Sequence, residues 1–287
     1  MKLLNGLEMP TPGYGTFKVP DEDAARLVGE ALKAGYRHID TAAYYRNEKG
    51  VGEGLRASGV PREEIFLTSK VWNTERGYDK TLRSFDKSLK DLGTDYLDLF
   101  LIHWPANRKQ FGDGADALNR DTWRALETLY KEGRVRSIGL SNFLEHHIEP
   151  LLETAEVAPM VDQVELHPGF ARRELAAYCQ QRHIVMQAWS PLGRGRCLSN
   201  PVIVEMAARY GVTPAQLIIR WVMQIGVVPL VKASSPERIR ENLLPDPSAA
   251  ASTATAAPGF ELSPADIQTL IDLPIGPLSH QPDEADF

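Results

Sequence analysis

The sequence predicts an α/β chain folded as a (β/α)8 TIM barrel. Three observations point there. Strand-length apolar runs alternate with helix-length amphipathic runs to the end of the chain, and parallel strands need such crossovers. The strand runs are apolar nearly throughout, as expected when both sheet faces are covered. The rival doubly wound sheet would carry G-x-G-x-x-G after its first strand. Here Gly13-Tyr14-Gly15 runs into Thr16-Phe17-Lys18 and lacks the third glycine.

Residues 13–17 are a short glycine-rich extended piece. Residues 21–34 read as a helix, with Ala24, Leu27, Val28, Ala31 and Leu32 on one face and Gly35 as its stop. The second strand is 38–41, followed by a helix over 48–58. The third strand is 65–69, and its helix runs 81–92 to Gly93. The fourth strand, 97–102, is followed by a long polar loop, 104–120, and then a helix over 122–131 that stops at Gly133. Strand 135–140 pairs with helix 145–156, strand 161–165 with helix 174–182, and strand 184–189 with two helices, 202–210 and 214–224. Strand 227–231 and helix 236–244 complete eight units, which reads as one domain over 1–287. About 250 residues suffice for such a barrel. The stretch 245–259 is low-complexity and bracketed by prolines, and reads as a surface loop or a flap over a ligand.

The formal net charge of -6 gives no support for a nucleic-acid partner. Cys179 and Cys197 follow no metal or redox spacing and read as free thiols. The N-terminus turns polar too soon for a signal peptide, and no apolar run approaches the roughly 20 residues of a membrane span. The expectation is a soluble, cytoplasmic protein. His146-His147 and His167 lack metal-ligand spacing, so no metal site is expected.

Polar residues end the apolar runs at successive strands: Asp40 with the Tyr44-Tyr45 pair behind it, Lys70, and His103. Consecutive strand ends of one parallel barrel share one mouth. Singly, each has a bland reading: a turn Asp, a solvated Lys, a satisfied core His. Together they form a proton-donating site for a carbonyl. Reduction needs a hydride, which no side chain supplies, and a proton from a donor within hydrogen-bond reach. Tyrosine titrates near 10, and a neighbouring ammonium lowers that value. Lys70 is the candidate ammonium, Asp40 would hold it charged, and His103, as a neutral imidazole, would orient the substrate oxygen.

The chain resembles the aldo-keto reductases, most closely the bacterial 2,5-diketo-D-gluconate reductase type. The resemblance rests on Gly35-Tyr36-Arg37-His38-Ile39-Asp40-Thr41-Ala42, Asn47-Glu48, Leu101-Ile102-His103-Trp104-Pro105, Ile138-Gly139-Leu140-Ser141-Asn142-Phe143, Gln163-Val164-Glu165-Leu166-His167-Pro168 and the run from Pro236 to Asn242, in the family's order. It implies a barrel closed at its bottom by an N-terminal hairpin over 2–8, a monomer, and NADP(H)-dependent reduction of aldehydes and ketones. It implies that Asp40, Tyr45, Lys70 and His103 are catalytic, and spacing from Asp40 selects Tyr45 over Tyr44 as proton donor.

The resemblance also implies a cofactor site. Ser141, Asn142 and Gln163 would hold the nicotinamide carboxamide, and Trp189 would stack on the ring. Gly15, Thr16, Phe17 and Asp40 would lie near it, and Ser190 and Leu192 would pass under the pyrophosphate. Lys232, Ser234 and Arg238 would meet the adenosine 2′-phosphate, with Ala233, Glu241 and Asn242 nearby. The family commonly reads Pro-Lys-Ser where this chain reads Val231-Lys232-Ala233, so one hydroxyl is missing and Ser234 or Ser235 is left to replace it. Phe17, Trp72, His103 and Trp104 would line the substrate pocket with loop residues 105–120 and the C-terminal tail. Packing of the barrel rim is the alternative role for the two tryptophans. Two other functions remain open: a redox-sensing regulatory subunit with little turnover, and a Schiff-base lyase or aldolase using Lys70.

Overall fold

The computed structural model describes residues 1–244 and 260–287. The low-complexity stretch 245–259 lies outside the described residues. Eight parallel strands close into a barrel in sequence order: β1 (Gly13–Gly15), β2 (His38–Asp40), β3 (Phe66–Val71), β4 (Leu99–Ile102), β5 (Ile138–Ser141), β6 (Val161–Glu165), β7 (Val185–Trp189) and β8 (Val228–Val231). Closure comes where Tyr14 of β1 pairs with Val231 of β8. The (β/α)8 barrel expected from the alternation is the observed fold.

Around the barrel lie α1 (Asp21–Ala34), α2 (Glu48–Ala57), α3 (Tyr78–Leu92), α4 (Arg108–Phe111), α5 (Ala115–Lys131), α6 (Glu145–Leu152), α7 (Arg173–Gln181), α8 (Pro201–Tyr210), α9 (Pro214–Gln224), α10 (Pro236–Glu241) and α11 (Pro264–Ile271). The buried residues of α1 are Ala24, Leu27, Val28, Ala31 and Leu32, the stripe read from the sequence. Gly35 ends α1 at φ +116°, a conformation that penalises any side chain. Below the barrel, Lys2 and Glu8 form an antiparallel bridge. Leu3 and Met9 of this hairpin pack against Phe66, Leu99, Leu101, Met160, Val161 and Val228 and close that end. Among the described residues no single helix is long and apolar enough to cross a membrane.

Three local expectations change. The segment 104–120 is not all loop: α4 forms over 108–111 and α5 already begins at Ala115. Its polar composition hid the first turns of α5, which dock through Asn119, whose amide bonds both the N–H and the carbonyl of Ala106. Helix α6 ends at Leu152, because the Glu127 carboxylate accepts the N–H groups of Glu156 and Val157 and turns the chain. Helix α11 was not expected, although its start carries a plain signal: Ser263 caps the N–H of Asp266 and Pro264 is the first helical residue.

Candidate active site

The C-terminal ends of the strands gather the polar residues at one mouth. Lys70 leaves β3 fully buried and aims its amine at four oxygens. Nζ donates to Asp40 Oδ1 at 2.7 Å and Oδ2 at 2.9 Å, to the Thr41 carbonyl at 2.9 Å, and to the Tyr45 hydroxyl at 3.3 Å. Tyr45 sits in a short 3-10 turn after β2. The neighbouring Tyr44 is 45% exposed and stacks on Trp72 at 3.7 Å, turned away from the amine. The Tyr45 ring meets Phe17 at 5.0 Å and His103 edge-on at 5.7 Å.

Burial governs the proton affinities here. It pushes the Tyr45 hydroxyl well above the ordinary tyrosine value, and the Asp40 charge adds to the rise. The lowering expected from an ammonium neighbour alone is not the net effect, because burial outweighs it and the Asp40 charge acts in the same direction as burial. Burial also lowers Lys70, against the opposing pull of Asp40. Burial, with Lys70 and Arg76, holds His103 well below its usual value, so its imidazole is neutral.

A cavity of about 980 Å³ opens above this group. Asp40, Tyr45, Trp72, His103 and Trp104 lie at one part of its wall, together with Gly15 and Phe17. Ser141, Asn142, Gln163 and Trp189 continue it, followed by Ser190 and Leu192, and Lys232, Ala233, Ser234, Arg238, Glu241 and Asn242 complete the trench. Thr16 does not reach the wall: it is fully buried and its hydroxyl donates to the Asp40 carbonyl, so it braces β2. Lys70 likewise lies behind Tyr45 rather than on the wall.

The polar groups are interlocked. Asn142 donates to the His103 carbonyl at 2.9 Å and to Ser141 Oγ at 3.1 Å, and accepts from Trp189 Nε1 at 2.8 Å. Gln163 donates to Asp40 Oδ2 at 2.8 Å. Asn142 and Ser190 adopt left-handed φ of +63° and +52°, the kind of strain that concentrates at functional sites. At the cationic part of the trench, Lys232 Nζ donates to Ser234 Oγ at 2.6 Å, beside Ala233. Arg238 has no ion-pair partner among the described residues.

Loop residues 105–120 do not line the cavity, contrary to expectation; they hold the tail that does. The buried Asn107 amide donates to the carbonyls of Pro282 and Ala285 at 2.8 and 2.7 Å. Phe287 then stacks on Trp72 at 5.7 Å and meets Trp104 edge-on at 5.1 Å. His280 and Phe287 line the cavity as part of the tail expected there, whereas Arg194 lines it without having been named from the sequence. No local pattern marks Arg194, and only the fold brings it there.

The tail also builds a cluster that spacing could not show. Nε2 of His146 and of His147 lie 2.7 and 3.1 Å from Asp283 Oδ1. The Leu144 N–H donates to His147 Nδ1 at 3.1 Å, so the neutral ring keeps its proton on Nε2. That nitrogen donates to Asp283 and offers no lone pair to a metal. Burial, with His146, holds His147 down at about 4, which keeps it neutral.

Comparison with known proteins agrees with this geometry. The Aldo/keto reductase family model matches residues 6–244. The glyoxal reductase of Bacillus subtilis (strain 168) is 51% identical over 243 residues, 84% of this chain and 85% of that protein. An aldo-keto reductase of Mycolicibacterium smegmatis is 45% identical over 276 residues, 96% of this chain and 93% of that one. Among solved structures, a Gox0644 variant in complex with NADPH superposes with a TM-score of 0.88 at 40% identity, covering 100% of this chain and 98% of the other. The Bombyx mori aldo-keto reductase in complex with NADP gives 0.83 at 30% identity, covering 94% and 91%. With a family model spanning most of its length and relatives near half identical across it, the chain belongs to the aldo/keto reductase family.

Proposed function

We propose that the protein reduces small aldehydes and ketones to alcohols with NADP(H), Tyr45 supplying the proton. The observation that carries this is the placement of the Tyr45 hydroxyl: 3.3 Å from a buried lysine amine, on the wall of a trench whose far part is cationic. Bound NADPH supplies the hydride. The chain's residues fit it chemically: Trp189 offers a flat face, Gln163 an amide, and Lys232, Ser234 and Arg238 the cations and hydroxyl that a 2′-phosphate needs.

Tyr45, kept protonated by burial, donates its proton to the carbonyl oxygen as negative charge develops there. Lys70 then stabilises the phenolate left behind, and Asp40 holds the amine in place. Nδ1 of His103 is buried without a partner among the described residues. A proton there would stay unpaired, so the neutral ring carries it on Nε2, free to donate to the substrate oxygen. Trp72, Trp104 and Phe287 give the substrate end apolar walls, which suits compact carbonyls. The similar glyoxal reductase is named for such a substrate. The match of segments supports the 2,5-diketo-D-gluconate reductase type within the family, which adds keto-sugar acids to the candidates. A cytoplasmic monomer is our reading of location and assembly.

The lyase reading is weakened by Lys70 itself. A Schiff-base lysine must present a free amine to substrate. Here the amine is fully buried and held by Asp40. The test is NADPH oxidation with a simple aldehyde or dione, beside Tyr45→Phe. The variant should lose about 100-fold or more in turnover while keeping NADPH affinity, as loss of a general acid alone demands. Turnover near the parent rate would remove Tyr45 from its role.

A further inference from the structure

We propose that Gln187 is a positioning residue for the nicotinamide end of the trench: it holds the Gln163 amide so that Oε1 faces the cavity as a fixed acceptor for a carboxamide N–H. This rests on the reading that Gln163 meets the carboxamide.

The argument starts at Asp40. A carboxylate only accepts, so the Gln163 atom 2.8 Å from Asp40 Oδ2 is the amide nitrogen. The same nitrogen lies 2.8 Å from Gln187 Oε1. Its two hydrogens are thereby both used, one on the catalytic carboxylate and one on Gln187. Gln163 and Gln187 are register partners across β6 and β7, so their side chains are neighbours inside the barrel. Gln187 is fixed in turn, its Nε2 lying 3.0 Å from Met9 Sδ of the N-terminal hairpin. A polar chain therefore runs from the closed bottom of the barrel to the proton-transfer group, with Gln187 its middle link.

Gln187 is fully buried and does not line the cavity, whereas Gln163 does. Gln163 Oε1 has no hydrogen-bond partner among the described residues. The neighbouring amide of Asn142 has both its hydrogens committed inside the protein. Without an acceptor at 187, one N–H of Gln163 would be buried unpaired, which costs enough to swing the side chain toward the cavity. Oε1 would leave its place, and the hydrogen bond to Asp40 would go with it.

The test uses equilibrium binding, read by tryptophan fluorescence, of NADP⁺ and of its 3-acetylpyridine analogue, in which a methyl ketone replaces the carboxamide and no N–H is present. The parent protein should prefer the carboxamide by about tenfold, the value of one well-placed hydrogen bond. Gln163→Met should abolish the preference. Gln187→Met, similar in size but without the acceptor, should reduce it most of the way, and should add nothing in the Gln163→Met background. Met9→Leu, a milder change at the far end of the chain of contacts, should reduce it in part and serves if Gln187→Met does not fold. Full preference in Gln187→Met or, where that variant does not fold, in Met9→Leu, with none in Gln163→Met, overturns the proposal. Full preference in Gln163→Met instead overturns the reading of Gln163, and the proposal falls with it.

Discussion

Lys70 lies closer to Asp40 than to Tyr45, 2.7 Å against 3.3 Å. The amine is thus paired before it meets the phenol, and what it offers Tyr45 is a hydrogen bond more than an unopposed charge. With burial pushing the hydroxyl up, Tyr45 stays protonated across the neutral range. In the direction of reduction the donor must be protonated. The rate with saturating cofactor and substrate should therefore stay flat to about pH 9, and fall only at or above the ordinary tyrosine value near 10. A falling limb centred near neutrality that disappears in Tyr45→Phe would show that the cation dominates after all.

Arg238 and Lys232 lie along the same trench, but among the described residues only Lys232 has a side-chain partner, Ser234. A guanidinium without such a tie is suited to a phosphate, and charge-assisted bonds to ions run about 1.5–3 kcal/mol. Arg238→Ala should weaken NADPH binding about 10-fold or more and leave NADH nearly unchanged, as measured by dissociation constants for both. Equal losses would place the arginine elsewhere than at a 2′-phosphate.

Phe287 covers Trp72 and touches Trp104, so it narrows the mouth beside His103. Its carbonyl accepts from Asn73, and Asn107 ties the tail a few residues earlier. Phe287→Ala should open the wall. Efficiency with bulky ketones should rise relative to small aldehydes by several-fold, in keeping with an aromatic contact of about 0.5–1.5 kcal/mol. Asn107→Ala should move the ratio in the same direction, because it frees the strap rather than the ring. An unchanged ratio in both variants would mean that the tail does not shape the pocket.

Most of the fold was legible because most strands are short and carry apolar runs, and helices with readable stops follow them. Gly35, Gly93 and Gly133 all take positive φ at the ends of α1, α3 and α5. The polar strand ends were legible for a related reason: Asp40, Lys70 and His103 interrupt apolar runs where a solvent-facing turn would carry shorter residues. Contacts across the chain were not legible. Asn107 and Ala285 are 178 positions apart, and Glu165 accepts the N–H of Leu278 from 113 away. Such pairings leave no period in the sequence. The net proton affinity of Tyr45 was missed because it depends on burial, which a string of residues does not state.

Asp162 offers a test away from the cavity. It lies on β6 beside Gln163 but faces the other way, fully buried. Neither carboxylate oxygen makes a well-formed hydrogen bond among the described residues. Burial pushes the group up to about 8, offset only in part by the Phe143 amide and Arg172. The folded value thus exceeds the unfolded value of about 3.9. The native state prefers the neutral acid, so full stability is present below the unfolded value and is lost as pH rises toward 8. Above that the penalty is constant. Asp162→Asn replaces the acid by a neutral group of the same shape. The variant should match the parent near pH 4 and exceed it at pH 9 by a few kcal/mol, on the order of the shift times 1.36 kcal/mol per unit at most. Urea unfolding at acidic, neutral and alkaline pH measures the gap. A gap that does not widen with pH means that Asp162 is charged and satisfied in the native protein, and that β6 carries no such cost.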